Sequence, residues 1–151
     1  MRKSLVLAVG FATAFGILAF APVTGPATAA SKSPVTLNGE TNKHGSKDVS
    51  AKTTATVEMG QHDYYFSPTF VKVRPGEQLT IKVKNEGKSQ HTFTSSALGV
   101  DKTVDPGKKA TVKVTIPASG GAIQFHCDFH EVMGMQGAFY TAAGATPASG
   151  S

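Results

Sequence analysis

Apolar and polar residues alternate with a period of two through much of residues 55–142. Leu79, Ile81 and Val83 alternate with Gln78, Thr80, Lys82 and Lys84, the pattern of a strand with one face in a core. Val112, Val114 and Ile116 alternate with Thr111, Lys113 and Thr115 in the same way. Turn residues separate the runs: Ser67-Pro68, Arg74-Pro75-Gly76, Asn85-Glu86-Gly87, Asp105-Pro106-Gly107 and Pro117 to Gly121. The pattern predicts strands near 55–60, 70–74, 78–84, 91–95, 110–116, 122–127 and 137–142, and no stretch carries a helical period. Short strands between regular turns imply an all-β sandwich or barrel.

The ends of the chain read differently. Arg2-Lys3 precedes 17 uncharged, mostly apolar residues, Leu5 to Ala21, and then Ala27-Thr28-Ala29. A basic start, an apolar stretch and a small-residue motif make residues 1–29 a signal peptide cleaved after Ala29, with Ala19-Phe20-Ala21 as a second cleavage motif. An uncleaved anchor is the alternative, because 17 residues reaches the lower limit for a spanning helix. Residues 30–54 are rich in Ser, Thr, Lys, Asn and Gly, with Val35, Leu37 and Val49 almost the only apolar side chains. They read as a flexible linker. Residues 143–151 read as a low-complexity tail. The folded domain is expected at 55–142, in an exported, periplasmic or secreted protein.

Net charge is +5, but the excess lies mostly outside the domain, where nine basic residues meet eight acidic ones. With no basic cluster, nucleic acid is not expected as a partner. One Cys in the whole chain excludes an internal disulfide framework and multi-Cys zinc or iron–sulfur sites. An unpaired thiol in an exported domain needs another use.

That use is suggested by Cys127-Asp128-Phe129-His130-Glu131-Val132-Met133-Gly134-Met135. A thiolate, an imidazole and a thioether are soft or borderline donors that suit copper. Cys127 shares strand parity with Ile123 and Phe125 and is expected to face inward, whereas His126 faces outward. His91 shares parity with Phe93 and supplies a second inward imidazole. If the two strands are antiparallel neighbours, His91 and Cys127 meet at one pole, and the loop after Cys127 returns His130 and a Met there. Two His, one Cys and a weak axial Met form a blue-copper electron-transfer site. His130, flanked by Phe129 and Val132, is the expected exit for the electron.

These residues resemble the small cupredoxins, the plastocyanin, pseudoazurin and amicyanin group. Met59, Phe66-Ser67-Pro68 and Val71 through Asn85 resemble the opening strands of that group, and Cys127-x2-His130-x4-Met135 followed by Gly137 resembles its ligand loop. The resemblance implies a Greek-key β-sandwich of about seven to eight strands. It implies one copper ion, Cu(I)/Cu(II), on His91, Cys127, His130 and Met135. Met133 offers the shorter, amicyanin-like spacing, but Met135-x-Gly137 before the last strand fits the longer loop.

The expected function is therefore single-electron transport between redox protein partners by a monomer with no enzymatic activity and no membrane insertion once the signal is cleaved. Copper storage, delivery or sequestration is the alternative, with His44, Met59 and His62 as accessory sites. His62-Asp63 otherwise reads as a solvated turn. A Cys127–His130 nucleophile and base is a poor third reading, because no orienting group is identifiable. A metal-free interaction module leaves the donor set unexplained.

Overall fold

Alternation along Gln78–Asn85 does what the pattern requires: Leu79, Ile81, Val83 and Asn85 are buried while Gln78, Lys82 and Lys84 are exposed. The computed structural model describes residues 33–144. Ten strands run through them: β1 Ser46–Asp48, β2 Thr54–His62, β3 Tyr65–Ser67, β4 Phe70–Lys72, β5 Gln78–Asn85, β6 His91–Ser95, β7 Val100–Val104, β8 Lys109–Thr115, β9 Ala122–His126 and β10 Gln136–Tyr140. One sheet has the order β1-β4-β10-β9-β6-β7 and the other β3-β2-β5-β8. The all-β expectation holds, and the strand count exceeds it.

The strands absent from the sequence reading are β1, β3 and β7. β1 and β3 have three residues each, too few to show alternation. In β7 only Val104 is buried, because β7 is the outer strand of its sheet.

Four phenylalanines join the sheets. The ring of Phe125 on β9 lies 5.2 Å from Phe66 on β3, 5.3 Å from Phe93 on β6 and 5.0 Å from Phe139 on β10, centroid to centroid. All four are fully buried. Such contacts add to the burial of a large apolar surface in each ring.

The segment expected as a free linker is bound to the domain from residue 33 on. Val35 is buried against Phe70 and Ala138. The Gln136 side-chain amide donates to the carbonyls of Asn38 and Glu40 at 2.7 and 2.6 Å. β1 then pairs in parallel with β4, Lys47 opposite Val71. Backbone hydrogen bonds, which composition does not reveal, add to the few apolar contacts this stretch makes. The expected signal peptide and all but the first two residues of the expected tail lie outside the described residues. No helix among the described residues is long and apolar enough to cross a membrane.

Candidate metal centre

β6 and β9 are antiparallel neighbours, with Thr94 opposite His126. The first residue of β6 and the residue after the end of β9 therefore meet at one pole of the sandwich. Those residues are His91 and Cys127, both fully buried. The His130 N–H donates to the Cys127 carbonyl at 3.0 Å, and this tight turn brings the His130 ring back over the pole.

The Cys127 sulfur lies 3.8 Å from His91 Nδ1 and 3.5 Å from His130 Nδ1, and the two Nδ1 atoms are 3.2 Å apart. The point equidistant from all three lies about 2 Å from each, the length of a metal–imidazole bond. A neutral imidazole has one lone-pair nitrogen. Two of them aimed at one another beside a thiol make a donor set for a cation. Burial pushes the His91 imidazole below its ordinary pKa, and the neighbouring His130 pushes it the same way. His91 is thus neutral at pH 7 with its lone pair available. Thiolate and imidazole together fit one copper ion.

A thioether is also at hand. Met135 is fully buried in the core cluster that contains Cys127, whereas Met133 is 48% exposed. The Met135 carbonyl accepts from the Cys127 N–H at 3.0 Å, and its own N–H donates to the His130 carbonyl at 3.1 Å. Gly134 between the two methionines has φ 88°, a left-handed turn that suits glycine. The Cys127 sulfur accepts the Thr92 N–H at 3.3 Å. Asn85 donates to the carbonyls of Ser89 and Val104, each at 2.8 Å, fixing the loop that delivers His91.

Asp63 and Tyr64 are the residues that sequence reasoning missed. They form the turn between β2 and β3, and Tyr64 adopts φ 77°, a rare conformation for a bulky residue. Asp63 Oδ1 lies 3.3 Å from the buried Nε2 of His91. The Tyr64 ring meets the His130 ring edge-on, 5.0 Å between centroids. The Ser89 N–H, then that of Lys88, hold the Asp63 carboxyl below its ordinary pKa, with His91 adding to the effect. An Asp next to a turn Tyr carries no sequence signal of such proximity.

Other singled-out residues lie elsewhere. His126 faces outward as expected and contacts Asp128 Oδ1 at 3.0 Å. Met59 belongs to the core. His62 contacts Glu86 at 3.2 Å, and His44 and His62 stack on opposite sides of Tyr65, 3.5 and 4.5 Å between centroids. None of these joins the three-donor group. Phe129, Val132 and Met133 are exposed around His130, Val132 at 91%.

The same architecture occurs in solved structures. A reduced auracyanin from the photosynthetic bacterium Roseiflexus castenholzii superposes with a TM-score of 0.50 and 20% identity over 58% of this chain and 96% of its own. Auracyanin A, a "blue" copper protein from Chloroflexus aurantiacus, gives 0.50 and 20% over 58% and 98%. A chain of a heme-copper terminal oxidase dimer gives 0.52 and 15% over 70% and 73%. At these identities the likeness is one of fold. No curated protein matches the chain in sequence. Residues 27–139, most of the chain, match the model of the cupredoxin-like domain, and the chain therefore belongs to the cupredoxin-like family.

Proposed function

We propose that the protein is an exported single-electron carrier with one type 1 copper ion on His91, Cys127, His130 and Met135, and that it serves redox protein partners. The observation that carries this reading is the triangle of one sulfur and two Nδ1 atoms at 3.2–3.8 Å. Bound there, copper supplies the Cu(I)/Cu(II) couple.

The protein's own residues supply the rest. Thr92, Asn85 and the phenylalanine cluster hold Cys127 and His91 in place, so the donors need to move little when the charge changes. His130 is the partly exposed donor. Phe129, Val132, Met133 and Tyr64 form an apolar rim beside it, a surface that a partner covers and dries while the ring edge stays within reach. Two auracyanins of the same fold, one of them described as a "blue" copper protein, support the reading. Export is supported by the basic and apolar start of the chain.

The test is to add Cu(II) to the thiol-reduced protein and record its visible spectrum. An intense thiolate-to-copper band, bleached reversibly by reductant and absent in Cys127→Ser, is expected. A colourless protein that takes up only Cu(I) and yields it quickly to a chelator indicates copper handling instead.

A further inference from the structure

His91 is fully buried, and its Nε2 makes no well-formed hydrogen bond. The metal centre uses the other ring nitrogen. Nε2 instead faces Asp63 Oδ1 at 3.3 Å. That carboxylate is anchored from behind: the Lys88 N–H reaches both its oxygens at 3.1 Å, and the Ser89 N–H reaches Oδ1 at 3.1 Å. Space for the contact is made by Gly87. A Cβ on Gly87 would lie 2.5 Å from Asp63 Oδ1 and 3.0 Å from His91 Nε2. Gly87 is not in the left-handed region, so close approach accounts for this glycine, not backbone conformation.

We propose that Asp63 is a positioning residue for the metal ion: its carboxylate accepts the Nε2 proton of His91 and so holds the tautomer whose Nδ1 lone pair faces the copper. A small rotation of either side chain converts the 3.3 Å contact into a hydrogen bond. The carboxylate also places a negative charge one ring away from the ion, which favours Cu(II) over Cu(I) and lowers the reduction potential. Outer partners of this kind orient a ligating imidazole and raise its basicity. The proposal rests on the copper reading above.

The test compares wild type, Asp63→Asn, Asp63→Ala and Gly87→Ala. Potentials are read at one pH on the copper-loaded proteins, affinities by competition with a chelator, and the His91 Nε2–H resonance by NMR on the Zn(II)-loaded forms. Asp63→Asn keeps an acceptor oxygen and loses the charge, so the thiolate band stays and the potential rises. Asp63→Ala removes the acceptor and Gly87→Ala displaces it. Copper affinity then falls about 10–100-fold and the Nε2–H resonance shifts or exchanges away. Variants that match wild type in potential, affinity and resonance overturn the proposal. So does Asp63→Ala that lowers the unfolding temperature alone, which marks Asp63 as a loop clamp. A wild type without the thiolate band overturns the copper reading itself, and this proposal with it.

Discussion

The Asn42 side-chain amide donates to the Met133 carbonyl at 2.8 Å, across 91 residues of sequence, and to the Tyr64 carbonyl at the same distance. Its backbone N–H donates to Gly134 at 3.0 Å. Asn42, four residues ahead of β1, thus ties the ligand loop to the turn that carries Asp63. Asn42→Ala is expected to cost about 1 kcal/mol for each lost hydrogen bond, measured as a lower denaturant midpoint, and to speed amide exchange at Met135 and Gln136.

Methionine identity separates by burial. Met133→Leu is expected to leave the visible spectrum and potential of the copper protein unchanged, whereas Met135→Leu changes both, because the axial donor tunes the site. Met135→Ala also opens a core cavity and should cost about 2–5 kcal/mol in the metal-free protein. Equal effects of the two leucine variants would contradict this assignment.

Phe125 touches three other phenylalanines and lies two residues before Cys127. Phe125→Ala should destabilise the metal-free domain by about 3–5 kcal/mol. Val132→Ala, at a side chain in solvent, should stay within about 0.5 kcal/mol of wild type. Chemical denaturation of both variants measures the contrast.

The apolar rim around His130 makes a kinetic prediction. Val132→Lys puts a like charge on both molecules of a self-exchange encounter. The electron self-exchange rate, from NMR line broadening, should fall about tenfold or more at low salt, with the visible band unchanged. An unchanged rate would move the electron exit away from His130.

A pH effect is expected just ahead of β5. Glu77 is buried, with Oε1 unpartnered and Oε2 accepting the Arg74 N–H at 2.9 Å. Burial raises its pKa, against the smaller pull of Arg74. The folded state thus binds the Glu77 proton more tightly than the unfolded chain does. This stabilisation is complete below the ordinary glutamate pKa and is lost as pH rises through the raised one. The stability of wild type relative to Glu77→Gln should therefore fall from pH 4 toward neutrality. Parallel curves in denaturant titrations across that range would refute it.

The alternation in Gln78–Asn85 and Lys109–Thr115 made the fold legible, because one face of each strand meets the core. The donor set was legible because the chain has one Cys, and strand parity turned His91 and Cys127 inward. The contacts of residues 33–54 were not. Besides the Val35 and Asn42 side chains, they are held by β1 pairing and by the Gln136 amide on two carbonyls, where this stretch offers only backbone groups present in almost any sequence. Asp63 was missed for a related reason. Its approach to His91 depends on where the β2–β3 turn lands, and that is set by β2 pairing with β5, Gln61 opposite Asn85.

The outer strands of both sheets govern how copies of this protein meet. β1 is three residues long and exposes Lys47 and Asp48, β7 exposes Asp101 and Lys102, and β8 exposes Lys109 and Lys113. The short β3 has its Tyr65 flanked by the rings of His44 and His62. Brief or charged borders discourage one sheet from extending into another. Extension of one sheet into another is thereby disfavoured at every border, while the exposed large apolar side chains Tyr64, Phe129, Val132 and Met133 gather at the His130 end.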